Sequence, residues 1–205
     1  MKKYLMFTIA LLGAQVLYAQ NNYFYIALDV NTPLGNKDFV NETSAKGGRL
    51  GYRAFVTEDS RVSIGIDASW TTFDKYKPTE TFESHGGAIT TDYFNYVYQY
   101  SLAVSGLYHF KLGESERIFP YAGVGLGANH NEYVQYYNIY SSAEKKWGFL
   151  VRPEAGILFR FTRNRGLGAM AAVHYDYSTN KSENFNIDKF SSVGFQIGLI
   201  VMNRY

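Results

Sequence analysis

The stretch Arg61-Val62-Ser63-Ile64-Gly65-Ile66-Asp67-Ala68-Ser69-Trp70 decides the fold. Its even positions, Val62, Ile64, Ile66, Ala68 and Trp70, are apolar, while its odd positions are charged, hydroxylated or glycine. Successive side chains leave a β-strand on opposite sides, so a period of two means a strand with one greasy face and one wet face. The same alternation appears on either side of it. Residues 23–30 set Phe24, Ile26, Leu28 and Val30 against Tyr25, Ala27 and Asp29; residues 49–56 set Leu50, Tyr52, Ala54 and Val56 against Arg49, Gly51 and Arg53. It continues through 96–110, 118–128, 147–161, 167–177 and 191–205. Eight antiparallel strands are expected. Pro120 lies at the start of its strand, where a missing amide donor does least harm, whereas Pro153 falls in mid-strand and predicts a bulge or local break.

The spacing between strands carries as much information as the strands do. Links 57–60, 111–117 and 162–166 are brief and turn-like; links 31–47, 73–92, 129–146 and 178–190 are long and polar. Short turns on one rim and long loops on the other are the pattern of a transmembrane barrel, and an even strand count puts both ends of the chain on the short-turn rim. The bulk composition agrees. Aromatic residues make up 18% of the chain, 19 Tyr and 15 Phe among them, while the hydrophobic fraction of 46% is ordinary, so the excess is in rings rather than aliphatics. After the first segment no apolar run approaches the roughly 20 residues a membrane helix needs.

Residues 1–19 read as a secretory signal peptide: Lys2 and Lys3 start it, an apolar stretch follows, and Leu17-Tyr18-Ala19 is the expected cleavage site. The barrel domain is then 20–205. Removing Lys2 and Lys3 from the 20 basic residues leaves them equal in number to the 18 acidic ones, which takes away the electrostatic motive for binding nucleic acid. With no cysteine, the chain has no disulfides, thiolate metal sites or Cys nucleophile.

Two barrels fit this alternation, each the inside-out version of the other. In a soluble, lipocalin-like barrel the apolar face points inward. In a membrane barrel it meets lipid, and Asp29, Arg49, Arg53, Arg61, Asp67, Arg152, Glu154, Arg160 and Asp176 form a charge network in the lumen. Three features favour lipid. Trp70, Tyr98, Tyr100, Trp147, Phe149, Tyr175 and Tyr177 fall near the long-loop ends, and Tyr108, Phe110, Phe159, Phe161 and Tyr205 near the short-turn ends, as two aromatic girdles would. Glycines crowd the opposite face, where a narrow lumen needs room. The last strand closes on Tyr205, in phase with Val193 to Val201.

Together the signal peptide, the eight strands, the run Tyr121-Ala122-Gly123-Val124-Gly125-Leu126-Gly127 and the terminal aromatic strand resemble the small eight-stranded outer-membrane β-barrel superfamily, which includes the outer membrane protein A membrane domain and the protein X type. Asn203 departs from that pattern, since an apolar residue is usual there. The resemblance implies an outer-membrane location in a Gram-negative bacterium, contact with lipid and lipopolysaccharide, recognition of the C-terminal strand by the outer-membrane assembly machinery, and a monomer. The peptidoglycan-anchoring role of protein A belongs to a further domain and is not expected here.

An eight-stranded barrel is just wide enough for side chains to fill, so no diffusion channel is expected and the lumen charges read as structural. The expected function is non-enzymatic: a rigid barrel displaying loops for adhesion, envelope integrity or partner binding, with no cofactor or metal. The one constellation worth testing as catalytic is His174, Asp176 and Ser178, on one face of a strand and about 7 Å apart in succession. That makes a lipid A or phospholipid-modifying enzyme the alternative, although small barrel deacylases carry His and Ser two residues apart rather than four. A soluble lipocalin-like binder is the third reading. His85, His109 and His130 lack metal-ligand spacing. Gly123, Gly125 and Gly127 open no helix and so make no nucleotide site. Tyr133, Tyr136, Tyr137 and Tyr140 are candidates for surface recognition, or else extend strands five and six above the membrane.

Overall fold

The computed structural model describes residues 21–57, 59–84, 87–110, 117–162 and 165–203. Eight strands close into one antiparallel barrel in chain order: β1 (Asn22–Pro33), β2 (Gly47–Phe55), β3 (Val62–Ser84), β4 (Gly87–His109), β5 (Ile118–Tyr137), β6 (Tyr140–Thr162), β7 (Arg165–Ser178) and β8 (Phe190–Asn203). The ring is closed by β1 against β8, with Asn22 opposite Asn203 and Pro33 opposite Ser192. The signal-peptide and cleavage-site reading, His85 and the girdle residue Tyr205 lie outside the described residues.

The greasy face points outward. Ile64, Ile66, Leu102, Val104, Leu126, Ile157, Ile197 and Leu199 are all exposed, Ile66 at 55%, while Arg49, Arg53, Asp67 and Glu154 are buried inside. A soluble barrel with an apolar lumen is the opposite arrangement and is excluded. Leaving so many large aliphatics on the outside forfeits about 2 kcal/mol of burial for each in water, a loss that a hydrocarbon surrounding removes.

Strand length divides the barrel in two. β1, β2, β7 and β8 have 12, 9, 14 and 14 residues, near the 9 to 11 that a tilted strand needs to cross a bilayer. β3, β4 and β6 have 23 each and β5 has 20, about twice that length. Residues 73–92 and 129–146, expected as long polar loops, are therefore β-hairpins that carry the wall upward. The first bends at a register shift between Lys77 and Glu80, beside Pro78. The second turns at Asn138 and Ile139, with Asn138 in the left-handed region that asparagine tolerates. Tyr133, Tyr136, Tyr137 and Tyr140 all lie in these extended strands.

The reason the alternation seemed to stop is that it inverts. At the level of Arg49, Arg53, Asp67 and Glu154 the inward face is polar, but above it the inward face carries Phe73, Val97 and Tyr133, all fully buried. Parity continues, and the inner face turns apolar while charges such as Asp74 and Glu132 enter the outer one. Pro153 gives the local break, not the bulge, of the two outcomes expected of a mid-strand proline. It stays in register with Val124 of β5, and β6 keeps one register with β7 on either side of it, from Leu150 opposite Ser178 to Glu154 opposite His174. No bulge forms there; Arg152 and Pro153 simply drop out of the β6–β7 ladder, as expected where the ring removes an N–H donor.

Candidate functional site

Three layers fill the interior. Nearest the short turns, Tyr23, Tyr25, Leu107, Tyr121, Leu158 and Ile200 form an apolar floor. Above it lies the charged belt. Arg49 pairs with Glu154, which also accepts a hydrogen bond of 2.9 Å from the Tyr121 hydroxyl. Arg53 stands 2.9 Å from Asp67 and 3.8 Å from Glu154, and donates to Ser105, while Ser105 and Tyr25 donate to Asp67. Arg152 grips Asp176 with two parallel bonds of 2.5 and 2.6 Å and reaches Ser69 at 3.0 Å. Such bidentate, buried pairs stabilise only when their remaining atoms are also bonded, which Ser69, Ser105, Tyr25 and Tyr121 help to do. None of those four was singled out from sequence, although each shares the parity of the charges. Arg160 also points inward and is buried.

Arg61 does not belong to this belt. It precedes β3 at the short-turn rim, is half exposed, and pairs with Asp59 at 2.8 Å. The alternation placed it on the inward face, but the wall ends before it.

Glycine makes the belt possible. A Cβ at Gly51 would stand 2.4 Å from the Asp67 carboxylate and 2.5 Å from the Tyr25 ring; one at Gly194 would stand 2.3 Å from the His174 imidazole. Larger residues at either position would collide with the belt.

The catalytic candidates are held inside. Nε2 of His174 donates to Asn31 Oδ1 at 3.2 Å and lies 3.6 Å from Asp29 and 3.9 Å from Asp176. Ser178 Oγ donates instead to the Phe190 carbonyl at 3.2 Å. The structure brings His174 and Asp176 together and leaves Ser178 in a different role; all three are buried, as is Asp29. His109 bonds Ser63 at 2.9 Å inside the floor, and His130 packs on Trp147 outside.

The top layer is a cap that sequence reasoning missed. Residues 34–46 and 179–189, the loops of the short strands, fold inward against the tall wall. Phe39, Val40 and Ile187 from the loops meet Phe73, Val97, Tyr133 and Phe190, with Phe185 packed beside them. Polar bonds fix the loops: Asn31 and Ser44 exchange backbone bonds of 2.8 Å, Asn95 donates to the Phe39 carbonyl at 2.9 Å, and Asn180 donates to the carbonyls of Asn129 and Lys146 at 3.1 and 2.8 Å. Glu144 receives Ser182 and the Asn184 amide and pairs with Lys146 at 2.7 Å; Lys146 and Ser182 hold its carboxyl below the usual range. Loops without periodicity give little warning of such a core. Only the isolated rings and aliphatics among polar residues, Phe39-Val40 and Phe185 with Ile187, could have signalled it.

Outside, Trp70, Tyr100, Tyr108, Phe110, Trp147, Phe149, Phe159, Phe161 and Tyr175 are exposed on the wall, and Tyr98 and Tyr177 are partly so. Trp70 lies across Gly48, where a Cβ would come within 2.4 Å of the indole.

No family model matches the chain, and no curated protein matches it. Among solved structures it is similar to Neisserial surface protein A, with 14% identity, 88% of this chain and 95% of that chain covered, and a TM-score of 0.57. It is also similar to the outer membrane protein OprG of Pseudomonas aeruginosa, with 12% identity, 91% and 98% covered, and a TM-score of 0.52. At such identities the likeness concerns the fold.

Proposed function

We propose that this chain, built on the fold of the small eight-stranded outer-membrane β-barrels, is a non-conducting, non-enzymatic outer-membrane protein that displays a rigid extracellular sheet for recognition at the cell surface. It is exported with cleavage near Ala19, its C-terminal strand engages the assembly machinery, and it works as a monomer surrounded by lipid and lipopolysaccharide. The observation that carries the reading is the combination of a lumen filled from floor to cap with a wall rising well beyond the bilayer. A filled lumen conducts nothing; a tall wall presents surface to the outside.

The lipid-modifying alternative needs a nucleophile open to lipid. Ser178 and His174 are both buried, and the Ser178 hydroxyl is engaged by a backbone carbonyl. Two experiments test the reading. The folded protein in planar bilayers should give no stepwise conductance, and open channels of steady amplitude would contradict the sealed lumen. Cells carrying the chain or its His174→Ala and Ser178→Ala variants should show identical lipid A by mass spectrometry; a modification lost in either variant would establish an enzyme.

A further inference from the structure

The outward face of the tall wall carries groups of rings that rise from the girdle residues Tyr98, Tyr100 and Trp147. Trp147, 73% exposed, packs on His130 at 4.8 Å between ring centres, and His130 lies 6.4 Å from Tyr100. Higher up, Tyr96 and Tyr98 lie parallel at 5.8 Å, Tyr96 meets Tyr136 at 5.7 Å, and Tyr76 meets Phe94 at 5.1 Å. Phe94 and Tyr136 are direct cross-strand partners, as are Tyr100 and His130. From His130 to Tyr136 the ladder climbs about 20 Å along the strand.

Three observations restrict what covers it. The ladder has the same strand parity as the aliphatic outer wall below it, so it faces sideways and meets whatever stands beside the barrel where the wall leaves the bilayer. The charges set among the rings have partners on the wall, Glu132 with Lys145 at 3.3 Å, Asp74 with Lys46 at 2.8 Å and the exposed Asp92 carboxylate with the Tyr76 hydroxyl at 3.5 Å, so the rings stand among balanced pairs and one carboxylate that can accept from a hydroxyl. The flanking edge of β3 carries Lys75, Lys77 and Pro78 and a register shift, devices that discourage another strand from pairing there. A ring-lined surface with hydroxyls and a carboxylate among the rings suits a sugar, whose C–H faces pack on the electron-rich faces of aromatic rings while its hydroxyls bond to the tyrosines and to Asp92.

We propose that this face binds the saccharide part of the glycolipids standing beside the barrel, resting on the outer-membrane reading above. The test uses the full chain folded in a phosphocholine detergent, with folding checked by the gel shift between unheated and boiled samples. The probe is acyl-free core oligosaccharide released from lipopolysaccharide, with inorganic phosphate as a separate arm. Binding, followed by tryptophan fluorescence, should occur for the oligosaccharide and not for phosphate. It should weaken by about tenfold or more in Tyr76→Ala/Tyr98→Ala/Tyr136→Ala and stay within about threefold in the matching triple Phe variant. Should the Ala triple fail to fold, Tyr136→Ala alone serves, with a smaller loss expected. A folded protein that ignores the oligosaccharide, that binds phosphate equally well, or whose Ala variant binds undiminished overturns the proposal. So does an Ala variant whose main change is loss of a dimer, since the face would then belong to a second copy. A chain that shows no gel shift contradicts the barrel reading instead.

Discussion

Half of the barrel wall is short and half is tall. β1, β2, β7 and β8 have about the length that a bilayer crossing requires, and their loops at 34–46 and 179–189 turn inward; β3 to β6 continue as a sheet whose inner face receives those loops. One half supplies a lid and the other the backboard it rests on. The division teaches that a single alternating pattern serves two solvents. Around the charged belt the inner face is polar because a hydrocarbon surrounding takes the aliphatic one, and higher up the inner face turns apolar because it receives the folded-in loops.

The halves are tied by the β2–β3 and β6–β7 ladders and, through the lumen, by the charged belt; cutting one of these lumen ties should have the largest effect. Arg152 of the tall half grips Asp176 of the short half, and Arg152→Met leaves a buried carboxylate without its partner. A loss of about 3–5 kcal/mol is expected, read from the denaturant midpoint of the folded form, with Arg152→Met/Asp176→Leu recovering most of it. If the double variant is as unstable as the single one, the loss lies in the missing bonds of the pair and not in an orphaned carboxylate. Next comes Phe190→Ala, which removes a fully buried ring from the cap. About 3 kcal/mol of protection should vanish from the amides of 34–46 and 179–189 in hydrogen exchange, while those of β2 keep theirs. Equal loss in β2 would mean that lid and barrel unfold as one unit.

Asn180→Ala separates the two loops. Its side chain alone bridges to Asn129 and Lys146, so exchange should quicken by about tenfold in 179–189 and little in 34–46, in keeping with about 1–2 kcal/mol of lost bonding. The smallest effect concerns pH. The Glu144 carboxyl is held below its ordinary range by Lys146 and Ser182, so its contribution to docking the 179–189 loop is complete above the unfolded carboxylate range and fades as pH falls through the folded value. The Asn184 amide signal should therefore be steady at neutral pH and shift only under acid; Glu144→Gln should remove that acid transition.

Much of the membrane half was legible because lipid and lumen impose opposite demands on alternate residues. The 61–70 stretch carries that contrast without interruption, and β3 begins at Val62. The tall half was not legible, since a reader following apolar even positions meets Asp74 and Glu132 outside and Phe73 and Tyr133 inside, and takes the reversal for a loop. Arg61 shows the same blindness at the other rim: parity says which side a residue faces only while there is a wall. The belt's carboxylates and guanidiniums stood out by charge, but Tyr25, Ser69, Ser105 and Tyr121, which complete their bonds, are ordinary residues until three strands bring them together. Nothing local could bring Phe39 to Tyr133, because that contact depends on the height of a wall built elsewhere in the chain.

The absence of native cysteine makes one measurement decisive. Single cysteines introduced in turn from Ile64 to Trp70, spin-labelled in lipid vesicles and probed with membrane-soluble oxygen, should show high collision rates at positions 64, 66, 68 and 70 and low rates at 65, 67 and 69. The reverse phase, or a flat profile, would contradict a barrel that turns its aliphatic face to lipid and its charges within.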